Sequence, residues 1–171
     1  MFDGYARAVD RLLPIYLKDQ LALGVLWRAL ARRARRNNPG TPLGAALARV
    51  AADIAEDVET FRRIMRCLGV RPDPVKNLAV IGAEWLGRLK LNGRLTGYSP
   101  LSRFEELEFL TMGIDGKKQL WTTLRDLAGL ASFLPEVDFD HLIDRAQRQR
   151  AELEPFRVSA GRHAFGSAMI T

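Results

Sequence analysis

The sequence predicts an all-α protein: a four-helix bundle built from two antiparallel hairpins, joined by a long crossover that contains a short helix. Three observations carry this. Apolar residues recur at three- and four-residue steps through four long segments, no stretch alternates as a strand would, and the breakers between segments are unevenly spaced. At 171 residues the chain is large enough to bury a substantial core without a disulfide or metal staple. Hydrophobic residues at 47% and charged residues at 27% exclude wholesale disorder.

The first helix is expected from about Ala6 to Asn38, its inner stripe marked by Leu12, Tyr16, Leu23, Leu26 and Leu30. Pro14 lies inside it, so the helix is expected to begin or kink there. Asn37-Asn38-Pro39-Gly40 ends it, and Thr41-Pro42 is an N-cap followed by proline at the first helical position. The second helix carries Leu43, Leu47, Val50, Ile54, Phe61, Ile64 and Leu68 and stops at Gly69 and Pro72. Each runs about 40 Å at 1.5 Å per residue, and the short turn makes the pair antiparallel.

Residues 70–99 are the crossover, with a shorter amphipathic piece showing Leu78, Ile81, Trp85 and Leu89. Ser99-Pro100 caps the third helix, with Leu107, Leu110, Ile114, Trp121 and Leu124 on its stripe. Asp138 caps the fourth, which shows Phe139, Leu142, Ala146, Leu153 and Phe156. Periodicity fades after Pro155. Residues 1–156 are therefore read as one helical-bundle domain, and 157–171 as a tail that is frayed or packed on the surface.

The segments YLKDQLALG, TPLGAALARVAADIAED and GRLKLNGRL…SPLSRFEELE…GKKQLW resemble an uncharacterised bacterial family of ferritin-like helical proteins. The resemblance spans roughly residues 10–155 and implies a fold, ferritin-like connectivity, and no activity. In metal-binding ferritin-like proteins a Glu from each of two helices and a Glu-x-x-His from each of the others converge at mid-bundle. This chain has no Glu-x-x-His; the nearest spacing, Asp138-x-x-His141, opens the fourth helix, and His163 lies in the tail.

Polar residues nonetheless interrupt the stripes. Asp19 falls between Tyr16 and Leu23, Asp57 between Ile54 and Phe61, Lys117 between Ile114 and Trp121, and Gln149 between Ala146 and Leu153. Asp57 is 16 residues past Thr41, Lys117 is 17 past Pro100, and Asp19 is 19 before Asn38. Gln149, counted from the breaker at 135, agrees to about one 5.4 Å turn. Asp19, Asp57, Lys117, Gln149 and the adjoining Tyr16 are thus expected to form a polar core layer, with Lys117 offsetting carboxylate charge where relatives hold metal. Two other placements remain open. Asp19, Asp57 and Lys117 stand at stripe edges with their heads in water, or Asp19, Asp53, Glu56 and Asp57 hold a hard ion, with Glu108 or Asp115 added.

Charge gathers elsewhere too. Arg28, Arg32, Arg33, Arg35 and Arg36 close the first helix, where the helix dipole favours cations. They are also a candidate anion-binding end, with Arg88, Lys90, Arg94 and Arg103 extending it toward nucleic acid or an acidic membrane surface. No aromatic residues interleave for base stacking, so the solvated-end reading is preferred. Glu59 with Arg62, Arg63 and Arg66, and Glu105 to Glu108 with Arg103, read as surface pairs. The net charge of +6 permits an anionic partner without requiring one. Cys67 reads as a small buried hydrophobe.

No Ser/His/Asp or Cys/His set, phosphate loop or zinc spacing can be assembled, and neither a signal peptide nor a transmembrane run is seen. The expectation is a cytoplasmic, cofactor-free, non-catalytic protein that acts by interaction, with itself as a homodimer or with another protein. The alternatives are a divergent carboxylate metal oxidase or store, and an anion-binding accessory protein.

Overall fold

The structure, a computed structural model, describes residues 2–72 and 98–166, with side chains from residue 12 onward. Four long helices carry it: α1 (Phe2–Arg36), α2 (Pro42–Cys67), α3 (Pro100–Thr122) and α5 (Phe139–Phe165); α4 (Leu130–Phe133) is a single turn. Among the described residues there is no strand, and no helix is long and apolar enough to cross a membrane. The crossover piece with Leu78, Ile81, Trp85 and Leu89 lies outside the described residues, as do Arg88, Lys90 and Arg94.

Local chemistry sets the helix ends. Thr41 Oγ1 accepts from the Gly44 N–H at 2.9 Å, Ser99 Oγ from the Ser102 N–H at 3.0 Å, and Asp138 Oδ1 from the His141 N–H at 2.8 Å, each satisfying a donor that the helix leaves open. At the end of α2 the Val70 N–H donates to the Met65 carbonyl and the Gly69 N–H to that of Arg66, with Gly69 at φ +68°. This is a Schellman turn, and it folds Val70 into the core. Cys67 on the last turn is consequently exposed, not buried as the sequence reading had it.

Named contacts give the directions. The short turn between Arg36 and Pro42 sets α1 against α2; Trp27 meets Gly113 and Asn37 meets Glu106 between α1 and α3; Asp115 meets Arg150 and Glu108 meets Arg157 between α3 and α5; Arg49 meets Glu152 and Glu56 meets Arg145 between α2 and α5. Each neighbouring pair is therefore antiparallel, and α2 runs in the same sense as α3. The core divides into two apolar clusters along the helix axes. One centres on Leu47, Val50, Leu107, Leu110 and Leu153. The other centres on Leu17, Phe61, Ile64, Trp121, Leu124 and Leu142, with the Phe61 and Trp121 rings 5.9 Å apart.

Three departures from the sequence reading have physical causes. The inner stripe of α1 is Leu17, Leu21, Ala22, Leu30, Ala31 and Ala34, so Leu30 is buried as expected whereas Leu12 is exposed. Small alanines form half of that face, and a count of large apolar residues passes over them. Prolines do not stop the helices either: α1 continues through Pro14 and α5 through Pro155. Pro155 and Ala151, whose carbonyl loses its donor, are both exposed, so water can hydrate the freed group. Residues 157–165 are helical rather than a frayed tail, anchored where Gly161 lets the Phe104 ring approach and Phe165 meets that ring edge-on at 5.2 Å. After α3 the chain widens into a π-helical turn over Thr123–Leu127, closed by the Ala128 N–H on the Thr123 carbonyl at 2.9 Å.

Candidate functional site: a buried ion-pair layer

The two apolar clusters meet at Asp57 and Lys117. Asp57 follows Ile54 and precedes Phe61 on the buried stripe of α2, and is 2% exposed. Lys117 follows Ile114 by three residues and precedes Trp121 by four on α3, so its stem shares their face. Its Nζ stands 2.5 Å from Asp57 Oδ2 and 2.5 Å from Gln149 Oε1. Gln149 Nε2 donates in turn to Asp53 Oδ2 at 3.0 Å. On the other side Arg145 Nη2 donates to Asp57 Oδ1, and Arg145 Nη1 reaches Glu56 Oε2 at 3.0 Å.

Donors and acceptors therefore alternate from Asp53 through Gln149, Lys117, Asp57 and Arg145 to Glu56. Both oxygens of Asp57, the fully buried carboxylate of this layer, face a cation. The outer carboxylates, Asp53 and Glu56, are nearer solvent. Burial holds the Lys117 ammonium below its usual range, because desolvation outweighs the pull of Asp57; Arg145 lowers it further and Asp53 raises it. Such a layer need not add net stability over an apolar one, but removing a single member strands the others.

Of the residues expected in this layer, Asp57, Lys117 and Gln149 meet and two do not. Asp19 is exposed. It lies two residues from both Leu17 and Leu21, about 200° around the helix from each, so turning those leucines inward turns Asp19 outward. Tyr16 packs its ring against the apolar cluster of Phe61 and Trp121 instead of joining the layer. Arg145, absent from the sequence reading, completes the layer. Its signal was spacing alone: three residues after Leu142 and four before Gln149, on the edge of the α5 stripe.

The metal set Asp19, Asp53, Glu56 and Asp57 does not converge. Asp19 points away, Glu56 is exposed and ion-paired, and guanidinium and ammonium groups hold both Asp57 oxygens. Glu108 and Asp115 pair with Arg157 and Arg150 at 3.5 and 3.2 Å. Among the described residues no three His, Cys, Asp or Glu side chains stand together as metal ligands. A cation cannot coordinate a metal, so this donor set does not fit a di-metal centre.

A second buried carboxylate lies at the other end of the helices. Glu106 is fully buried on α3, a correction to its reading as part of a surface pair. It accepts from Tyr98 Oη at 2.7 Å and from Asn37 Nδ2 at 3.1 Å, and Arg33 Nε lies at 2.8 Å. Asn38 ties the cluster to the turn, donating to the Ala34 carbonyl at 2.8 Å and to Tyr98 Oη at 3.3 Å. Burial pushes the Glu106 carboxyl above its ordinary value, against the opposing effects of Tyr98, Arg33 and Asn37. Tyr98 is raised for the same reason. The available signal was that Glu106 precedes Leu110 by one helical turn.

That cluster also changes the arginine end. Arg33 is committed to Glu106, and Arg28 pairs with Glu59, which also holds Arg62 at 2.6 Å. Arg32, Arg35 and Arg36 are exposed. The five cations are thus not one continuous anion-facing set. His141 and His163 are exposed as well.

Comparisons with protein families, characterised proteins and solved structures find no match for this chain.

Proposed function

We propose that this chain is a ferritin-like four-helix bundle, cytoplasmic and non-catalytic, that works by protein interaction, with an ion-pair layer standing where its fold relatives hold metal. The observation that carries the reading is the double engagement of Asp57, by Lys117 on one oxygen and by Arg145 on the other. A carboxylate with a cation held on each oxygen is a poor metal ligand, and a fixed ammonium at that position repels a metal ion. The antiparallel packing of neighbours and the parallel α2 and α3 support the ferritin-like connectivity.

The interaction half of the reading rests on apolar side chains left in the open. Leu127 and Phe133, in and after the π-turn, are 84% and 69% exposed, and Leu12 and Ile15 on α1 are exposed too. Such residues are commonly covered in an assembly, and a second copy of the chain is the partner favoured here.

Elemental analysis of protein purified without chelator, from cells grown with added iron and manganese, tests the metal-free layer. The expected content is far below one ion per chain. Stoichiometric iron or manganese would return the protein to the carboxylate oxidase or storage class.

A further inference from the structure

One arginine lacks the partner that comparable arginines have. Eight arginines among the described residues are partly buried, and seven of them hold a carboxylate: Arg28, Arg33, Arg62, Arg125, Arg145, Arg150 and Arg157. The eighth, Arg103 in the first turn of α3, forms no ion pair among the described residues, and its Nε is buried without a hydrogen-bond partner. Its guanidinium carbon stands 5.3 Å from the centre of the Tyr98 ring, which holds the side chain in place. Glu106, the buried carboxylate of this end, is taken by Arg33. A cation drawn partly out of water without a counter-charge is costly.

Arg103 lines an open groove of about 590 Å³ where the starts of α2 and α3 meet the end of α5. Leu43 and Ala160 are buried and form its base with the half-buried Phe156 ring. Arg162, His163 and Ser159 are exposed and form its rim. Neither Arg162 nor His163 forms an ion pair among the described residues, and no described Asp or Glu lines the groove. Two guanidiniums and an imidazole thus surround an apolar base with no negative charge among them.

We propose that this groove binds a soluble phosphate monoester carrying a compact apolar group, its phosphate between Arg103 and Arg162 and its apolar part on Leu43, Phe156 and Ala160. Charge selects the monoester. The two guanidiniums are permanent cations, and a phosphate monoester carries about two negative charges at neutral pH, whereas a carboxylate or a phosphodiester carries one and leaves a guanidinium unbalanced. Planar guanidinium donors also match phosphate oxygens in pairs. The apolar base selects an ester over inorganic phosphate, and the volume is that of a small-molecule site. The groove lies at the far end of α3 from Leu127 and Phe133, so it is independent of the surface proposed for protein contact.

The test titrates the full chain with phenyl phosphate, methyl phenyl phosphate, benzoate and inorganic phosphate at low salt, followed by amide and arginine N–H resonances. Phenyl phosphate is expected to shift the signals of Arg103, Arg162 and His163 saturably. It is expected to bind about tenfold more tightly than the singly charged diester or benzoate, and at least about threefold more tightly than inorganic phosphate. Arg162→Gln, an exposed change that leaves the fold alone, is expected to weaken phenyl phosphate at least about threefold, while Arg66→Gln at the far end of α2 leaves it unchanged. Vesicles of phosphatidylcholine containing phosphatidic acid, which carries the same group on a lipid, are expected not to sediment the chain. No saturable binding, or equal weakening by Arg66→Gln and Arg162→Gln, overturns the site. Equal affinity for monoester and diester overturns the charge match, equal affinity for phenyl and inorganic phosphate overturns the apolar base, and sedimentation with the vesicles overturns the soluble ligand.

Discussion

Lys117 Nζ lies 2.5 Å from Asp57 Oδ2, and the two residues, 60 positions apart in sequence, come from helices that point the same way. Their meeting depends on register. Asp57 sits 16 residues past Thr41 and Lys117 sits 18 past Ser99, so setting the two Ser/Thr-Pro starts at one end brings the pair to within about 3 Å of one height.

The members of this layer are not equivalent. Removing Asp57 leaves two cations, Lys117 and Arg145, facing each other in the core. Removing Lys117 leaves Asp57 still paired with Arg145. Both losses are expected to cost on the order of 3–5 kcal/mol, with Asp57→Leu near the top of that range and Lys117→Met near the bottom. Urea unfolding of the two variants measures the order, and a larger loss for Lys117→Met would show that Arg145 does not hold Asp57.

The two glycines of α3 should respond to alanine with opposite signs. Gly116→Ala places a methyl in open space and improves helix propensity, so a gain of roughly 0.5–1 kcal/mol is expected. Gly113→Ala drives a Cβ to 2.5 Å from Trp27 Cδ2, and a loss of about 1–3 kcal/mol is expected from overpacking. Adding Trp27→Leu should recover much of that loss. Thermal or urea denaturation of the three variants reads it directly.

Glu106 should leave a mark on the pH dependence. An acid held above its ordinary value of 4.5 binds more protons folded than unfolded, so its contribution to stability falls as pH rises from about 4.5 through the raised value. Glu106→Gln removes that titration. The stability of the variant relative to the parent is therefore expected to improve as pH climbs through this window, whatever the offset from losing the Arg33 contact. A difference that stays flat from pH 4 to 8 would mean the carboxyl titrates alike folded and unfolded.

Much of this was legible in the sequence, and the misreadings share a cause. The caps at Thr41, Ser99 and Asp138 and the stripes of α2, α3 and α5 could be read because large apolar residues mark the buried faces. With those stripes in phase, Asp57, Lys117 and Gln149 fell inward on spacing alone. The face of α1 was misjudged because alanine and glycine let neighbours approach without looking apolar in a pattern, and that single rotation carried Asp19 inward on paper. Glu106 and Arg145 escaped because a buried charge becomes tolerable only through partners that are distant in sequence. Spacing along one helix does not reveal Tyr98 and Asn37 for the one, or Asp57 for the other.

Asp19 gives the corresponding control. As an exposed residue on the outer side of α1, it should tolerate Asp19→Ala within about 0.5 kcal/mol. A loss as large as that of Lys117→Met would place it in the layer after all.

The most direct test of the central claim is a double-mutant cycle on Asp57 and Lys117, with Asp57→Leu, Lys117→Met and the pair together compared by urea denaturation. The layer predicts strong coupling: the double variant regains a substantial part of the two single losses, because no lone charge is left between those two positions. Additive losses, or a neutral Lys117→Met, would contradict it by showing that the ammonium is solvated and that the bundle owes nothing to the pair.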